Sequence, residues 1–240
     1  MGITEPHLFC EISVIMPVYR EERLINQALE RLVEFSQNGC MEVIVSDGHP
    51  EASTIAAINT EYLNRQDVVP VRSEKGRGVQ MNTGAAHAKG DVLLFLHADT
   101  VVDKIAVHLL RKTCAACGDH LCGAFDLEID SPEKVFRIIE KTASLRSRIT
   151  GLPYGDQGIF LKAGLFHLVN GYPSWPLMED VGLMRKIGKR KIQPLIFRHA
   201  VKTSARRWKT GGVVYTTIRN WVLILLFFAG VSPHRLARFY

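Results

Sequence analysis

The chain has 240 residues, of which 47% are hydrophobic, so it can bury a sizeable core and a globular fold is expected. Thirty Lys and Arg against 24 Asp and Glu give a net charge of +6, which favours anionic partners such as phosphates or an acidic membrane surface. The first twenty residues lack the pattern of a secretory signal and the five cysteines are an odd number. We therefore expect a cytoplasmic protein and not a disulfide-rich secreted one.

Three cysteines and one histidine lie close together in the sequence, at Cys114, Cys117, His120 and Cys122. Their spacing could hold zinc in principle. No second Cys-x-x-Cys or His pair completes a standard zinc pattern, so we favour ordinary thiols.

Apolar segments alternate with helix-period segments through the first hundred residues, which is typical of βαβ units. The pattern predicts strands over 12–16, 42–46 and 68–72, and a fourth within 91–100. An amphipathic helix is predicted over 24–33. The fold class is therefore α/β, with a mixed, mainly parallel sheet flanked by helices.

Polar residues follow these strands at Tyr19, Asp47, Arg77 and Asp99. Ligands of open α/β sheets bind outside the carboxyl ends of the strands, so we expect these side chains to meet along one edge. A carboxylate suits a hard cation such as Mg²⁺ or Mn²⁺, and a guanidinium between glycines suits phosphate oxygens. The pattern favours a diphosphate site over a nucleic-acid interface.

The second half of the chain is less regular. We predict a strand over 123–130, a helix over 132–148 capped by Ser131, and a turn-rich segment over 151–161. A further helix carries Glu179 and Asp180 near its first turn, where the helix dipole favours acidic residues in any case. No internal repeat or linker interrupts the chain, so a single domain over 1–240 is expected.

The C-terminal segment contains eleven uncharged residues over 221–231, fewer than the ~20 that a spanning helix requires. One interpretation is a helix in the membrane interface, with Trp221, Phe227 and Phe228 among the headgroups and the basic run 185–191 assisting. The other is a helix packed on the domain or on a second copy in a homodimer. Contact with the inner face of a membrane and dimerisation are both left open.

Several motifs of other enzyme classes are missing. The sequence has no GxxxxGK[ST] loop, no GxGxxG after the first strand, no GxSxG and no HExxH. Their absence disfavours P-loop ATPases, kinases, simple dinucleotide oxidoreductases, serine hydrolases and zincin proteases.

Four stretches occur in an order and spacing that resemble the family 2 glycosyltransferases: "SVIMPVYREERLINQALERL", "VIVSDGHPEAST", "GRGVQMNTGAAHAKGDVLLFLHADT" and "MEDVGL". The resemblance covers roughly residues 12–210. It implies a GT-A type, Rossmann-like fold with a nucleotide-binding half (about 10–100), an acceptor half (about 101–210) and a C-terminal apolar helix (about 211–240). It also implies inverting transfer of a sugar from a nucleoside-diphosphate sugar to an acceptor hydroxyl.

The resemblance assigns roles to individual residues. Pro17, Tyr19 and Glu21 would line the nucleoside pocket, Asp47 would contact the base, and Arg77 would reach the base or the phosphates. The "SARRW" segment resembles a basic-aromatic motif near the diphosphate or acceptor, and it contributes Arg206, Arg207 and Trp208. Glu179 and Asp180 match an acidic pair in which the aspartate is the catalytic base.

Asp99 matches the final aspartate of the family's DxD-type metal motif, which implies a bound Mg²⁺ or Mn²⁺. His97 stands in place of the first aspartate, followed by Ala98. A histidine can bind Mn²⁺, although a packed or hydrogen-bonded histidine is the alternative.

Two other functions are kept as alternatives. A sugar-1-phosphate nucleotidyltransferase has a similar sheet but usually opens with a GxGxR loop, where this chain has "MPVYREE". A non-catalytic nucleotide-binding or membrane-docking protein would explain the reduced metal motif and the apolar tail. The acceptor could be a lipid, a glycan or a small molecule, and no nucleic-acid partner is expected.

Overall fold

A computed structural model describes residues 11–36 and 41–240. Within them, eight strands form one sheet in the order β3-β2-β1-β4-β7-β6-β8-β5. The strands are β1 Ile12–Val18, β2 Met41–Asp47, β3 Val68–Arg72, β4 Val92–Phe95, β5 Thr100–Val101, β6 Cys122–Asp130, β7 Phe160–Lys162 and β8 Leu195–Ser204.

Eleven α-helices connect or follow the described strands. They are α1 Ile25–Val33, α2 Ser53–Ala56, α3 Thr60–Leu63, α4 Arg77–Ala86, α5 Lys104–Ala116, α6 Lys134–Thr150, α7 Ala163–Leu168, α8 Glu179–Gly188, α9 Arg206–Gly211, α10 Val213–Phe228 and α11 Pro233–Leu236. Short 3₁₀ turns cover Gly155–Gln157 and Ala237–Phe239.

The first half of the sheet is parallel, with β1 between β2 and β4 and β3 beside β2. Alternate residues of β1 point to two hydrophobic cores. Val14 and Met16 pack with Leu29 of α1 on one face, whereas Ile15 packs with Met81 of α4 on the other. Because helices cover both faces, β1 and β2 are mainly apolar, and the carboxyl ends of the parallel strands meet at one edge.

The second half of the sheet is mixed. β7 is antiparallel to both β4 and β6, β6 and β8 are parallel, and β5 is antiparallel to β8. The predicted α/β class with a mainly parallel sheet is confirmed. This arrangement brings the ends of β4 and β8, the start of α8 and the start of α9 towards the edge formed by β1.

One local prediction differs from the structure. The N-cap residue of α6 is Glu133 and not Ser131, whose buried hydroxyl has no hydrogen-bond partner. The C-terminal helix α10 covers Val213–Phe228, within the expected 211–240, and Gly230 just beyond it has a φ of +93°. In the described part of the chain, no helix combines the length and hydropathy needed to cross a bilayer.

Candidate active site

A cavity of about 270 Å³ opens at the carboxyl edge of the sheet. Ten of the residues that the sequence singled out line it: Pro17, Tyr19, Glu21, Arg77, His97, Asp99, Asp180, Arg206, Arg207 and Trp208. They come from segments that are far apart in sequence, and the sheet topology brings them together. Asp47 and Glu179 do not line the cavity.

Asp47 is fully buried at the end of β2. Its carboxylate accepts hydrogen bonds from the backbone N–H groups of His49 at 2.9 Å, Thr54 at 2.9 Å and Ile55 at 3.1 Å. These contacts hold the loop that enters α2. The structure therefore gives Asp47 a positioning role, and its contact with a nucleobase stays a prediction.

Glu179 is turned away from the cavity and pairs with Arg77. The Arg77 Nε atom lies 2.7 Å from Glu179 Oε1, and only 3% of the surface of Glu179 is exposed. Burial raises the pKa of Glu179, while the Arg77 guanidinium opposes that shift. Glu179 thus fixes Arg77 at the cavity wall, and its catalytic role stays a prediction.

Asp180 points in a different direction from its neighbour because successive helical residues are about 100° apart. Its Oδ2 atom accepts a hydrogen bond from the Gly155 N–H at 2.9 Å, and its Oδ1 atom accepts one from the Val181 N–H at 2.7 Å. Met178 introduces the helix with a left-handed φ of +63°. The carboxylate is consequently held at a helix N-terminus with its face towards the cavity.

His97 and Asp99 stand just beyond β4. Burial, with further contributions from Arg77 and Arg207, lowers the pKa of His97 to about 3, so its ring is neutral at physiological pH. An unprotonated imidazole nitrogen beside a carboxylate is a donor pair that suits Mn²⁺. The described residues contain no cluster of three or more metal-ligating side chains. A cation here would take its other ligands from phosphates and water, as Mg²⁺ sites commonly do.

The "SARRW" segment spans the start of α9. Arg206 donates to both carboxylate oxygens of Glu21 at 2.9 and 3.2 Å, which ties α9 to the loop after β1. Trp208 is mostly buried and packs edge-on against Phe136 of α6. Trp208 therefore anchors a helix turn whose arginines face the cavity.

Tyr19 presents an aromatic ring at the rim of the cavity. The Lys75 Nζ atom lies 4.7 Å from the centre of that ring, and the His49 ring lies 5.3 Å away. The rings could stack on a nucleobase, and the lysine could attract the phosphates of the same nucleotide.

The turn at Tyr154–Gln157 contains site residues that sequence reasoning missed. Tyr154, Gly155 and Asp156 line the cavity. Burial raises the pKa of Asp156; Arg146 opposes the shift and Asp180 reinforces it. Gln157 is fully buried and fixes the turn, accepting from Ser147 Oγ at 2.7 Å and donating to the Phe125 carbonyl at 3.1 Å. The sequence signal available for Asp156 was its place between Gly155 and Gly158 in a turn-rich segment.

The C-terminal helices form another wall that was not foreseen. Asn220 and Leu223 of α10 line the cavity, as does Tyr240. Arg219 links α10 to Tyr240, since its guanidinium lies 4.8 Å from the ring centre and donates to the Tyr240 carbonyl at 3.1 Å.

The cysteine cluster is not a metal site in the structure. Cys114 and Cys122 are buried, and Cys117 is exposed at the end of α5. Burial raises the pKa of the Cys122 thiol to about 12, which disfavours the thiolate that zinc requires.

Solved structures with a similar fold include proteins solved in complex with nucleotide sugars. A mannosyltransferase from Pyrobaculum calidifontis, solved with GDP-Man and Mn²⁺, aligns with a TM-score of 0.62 and 21% identity, over 81% of this chain and 56% of that one. S. aureus TarS 1-349 with UDP-GlcNAc aligns with a TM-score of 0.56 and 16% identity, over 81% of this chain and 58% of that one. At these identities the likeness establishes the GT-A fold alone.

Sequence comparison gives the family. The probable glycosyltransferase YdaM of Bacillus subtilis (strain 168) is 29% identical over 107 residues, which are 42% of this chain but only 25% of that protein. The model of the family described as "Glycosyl transferase family 2" matches residues 13–170, more than half of the chain. The protein thus belongs to glycosyl transferase family 2.

Proposed function

We propose that the enzyme transfers a sugar from a nucleoside-diphosphate sugar to an acceptor hydroxyl with inversion, and that Asp180 is the general base. The observation that carries this proposal is the Asp180 carboxylate, which is held by the Gly155 N–H in the cavity that Arg77 and Asp99 also line. A base and a diphosphate-binding wall in one cavity are what a single displacement requires.

In the proposed step, the acceptor oxygen forms a bond to the anomeric carbon as the bond from that carbon to the diphosphate oxygen breaks. The acceptor proton moves to Asp180, and the electron pair of the broken bond leaves with the nucleoside diphosphate. Because attack comes from the face opposite the leaving group, the anomeric configuration inverts. Arg77, Arg206 and Arg207 line the same cavity and would stabilise the charge that develops on the leaving group.

Asp99 and His97 are the residues that would hold a divalent cation. When bound, Mg²⁺ or Mn²⁺ would neutralise charge on the donor diphosphate. The oxygen and neutral imidazole donors fit this role, and the Mn²⁺ in the Pyrobaculum mannosyltransferase structure is consistent with it.

The donor is proposed only as a nucleoside-diphosphate sugar. The two structural neighbours carry different donors, GDP-Man in one and UDP-GlcNAc in the other, so they favour neither base. The acceptor is proposed as a lipid, a glycan or a small molecule. The family assignment favours a glycosyltransferase over the sugar-1-phosphate nucleotidyltransferase alternative.

The donor and the base can be tested together. A thermal-shift panel of UDP-, GDP- and dTDP-sugars with and without Mn²⁺ identifies the donor, because a ligand that binds the folded state raises the Tm. With that donor, Asp180→Asn should bind normally yet transfer sugar at least ~100-fold more slowly, since a general base contributes rate and not donor affinity. Initial rates of nucleoside-diphosphate release measure the effect.

Asp119→Asn is the matched control, because Asp119 carries the same carboxylate but is exposed and lies outside the cavity. It should transfer at the wild-type rate. Near-normal turnover of Asp180→Asn would overturn the base assignment.

A second prediction concerns the metal. Mn²⁺ should tighten nucleoside-diphosphate binding in calorimetry, and Asp99→Ala should abolish that gain while leaving metal-free binding in place. The control Asp119→Ala should keep the gain. Equal Mn²⁺ effects in Asp99→Ala and the wild type would rule out Asp99 as the metal ligand.

A further inference from the structure

The outer face of α10 is apolar and exposed. Trp221 is 59% exposed, Leu225 68% and Ile218 56%. At about 100° per residue these positions fall on one side of the helix, together with Val214, Val222 and Phe228, which are also exposed. The opposite side packs into the protein through Thr216, Leu223 and Phe227. An apolar face this continuous marks an interaction surface.

Cationic side chains flank this face. The Arg185 guanidinium lies 6.0 Å from the ring centre of Phe228, and that of Arg219 lies 5.7 Å from the ring centre of Tyr215. Arg235 and Arg238 are exposed just beyond the helix. Arginines beside aromatic rings are the arrangement that side chains adopt at a lipid headgroup layer.

The part of the sequence that contains this face carries charge of one sign. Residues 181–240 contain thirteen Lys or Arg and no Asp or Glu, whereas residues 1–180 contain seventeen Lys or Arg and 24 Asp or Glu. The apolar face of α10 therefore lies in a part of the sequence whose only charged side chains, at neutral pH, are those of Lys and Arg. A partner that covers it must be apolar and negatively charged.

An anionic bilayer meets both requirements, since its acyl chains receive the apolar face and its headgroups receive the arginines. A second copy of this chain meets them poorly, because a twofold contact across α10 would place arginines of one copy near those of the other. Within the described residues, no helix is long and apolar enough to cross a bilayer, so α10 would lie in the interface.

We propose that α10 docks the enzyme on an anionic bilayer, with its exposed apolar face among the headgroups. Asn220 and Leu223 of the same helix line the active-site cavity. Docking therefore holds the cavity about one helix diameter, ~10 Å, from the lipid surface.

The test is sedimentation of the full chain with two kinds of vesicle, phosphatidylcholine alone and phosphatidylcholine mixed with phosphatidylglycerol. We expect binding to the mixed vesicles alone, and we expect added salt to weaken it. The double variant Trp221→Ser, Leu225→Ser should lower the partition coefficient ~10-fold or more, because it removes two apolar side chains that the bilayer would bury. The charge reversal Arg235→Glu, Arg238→Glu should also lower it.

Ile105→Ser is the matched control. Ile105 is 63% exposed on α5 and belongs to none of these features, so this variant should bind vesicles like the wild type. Every variant is first checked for an unchanged Tm and an unchanged nucleotide-induced Tm shift. That check also separates this inference from the proposed function, since sedimentation requires no transfer of sugar and nucleotide binding requires no lipid.

Three results would overturn the proposal: no binding to the mixed vesicles, equal binding to neutral vesicles, or wild-type binding by the double serine variant. A dimer in light scattering that the double serine variant dissociates would overturn it too, because a second copy would then cover the face.

Discussion

Gly155 lies between Asp180 and His97 in the cavity. Its N–H holds Asp180, and a Cβ atom added to it would lie 3.3 Å from His97 Nε2 and 3.9 Å from Asp180 Oδ2. An added Cβ atom would thus crowd the His97 ring and touch the Asp180 carboxylate at an ordinary contact distance. A methyl group here would shift His97 by a few tenths of an ångström, next to the proposed base.

Gly155→Ala should therefore lower the transfer rate ~10-fold while the free energy of unfolding changes by less than ~1 kcal/mol. The measurements are steady-state kcat and a urea denaturation curve. The control Gly164→Ala, where the added Cβ meets nothing within 4 Å, should leave both quantities unchanged. An unaltered kcat in Gly155→Ala would mean that the positions of His97 and Asp180 do not limit the reaction.

Single residues differ in how far the sequence reveals them. Asp99 and Asp180 stand in motifs with recognisable neighbours, so they could be picked out. Asp156 could not, since an aspartate in a turn has many structural reasons to be there. Its place in the cavity depends on Gln157, whose buried side-chain contacts join the turn to β6 and α6. Such long-range contacts leave no periodic signal in the chain.

At the scale of elements, the Asp47 side chain connects the end of β2 to the start of α2. Three backbone N–H groups converge on one buried carboxylate. Asp47→Ala would leave these donors without a partner, and we expect it to lower the free energy of unfolding by about 3 kcal/mol. Chemical denaturation measures the change.

Asp47→Asn keeps one acceptor oxygen and should lose less stability than the alanine variant. Glu51→Ala is the control, since Glu51 is an exposed carboxylate in the same loop and should be within ~0.5 kcal/mol of the wild type. Wild-type stability of Asp47→Ala would remove the positioning role and leave the base contact as the remaining role for Asp47.

The parallel strands were the most predictable elements. The predicted strand over 68–72 has the observed bounds, and those over 12–16 and 42–46 are each extended by one or two residues. Burial in the sheet gives such strands a mainly apolar sequence. The start of α6 was predicted wrongly because Ser131 resembles a cap, yet Pro132 follows it and the helix begins later.

At the scale of the whole molecule, the charge is divided unevenly along the chain, with cations alone after residue 180 and an acidic excess before it. Helices α8, α10 and α11 from the cationic part pack together through Val181, Leu223 and Leu236. Positive charge is therefore concentrated in one part of the chain and is not spread evenly along it.

An uneven distribution of charge can orient a protein near a negatively charged surface before any contact forms. If α10 docks on such a surface as proposed, the surface would attract the cationic residues after 180 and repel the acidic excess before them. At about 0.15 M salt this effect reaches only about 8 Å, the Debye length. Capture by a surface should accordingly slow with ionic strength more steeply than a net charge of +6 alone would produce.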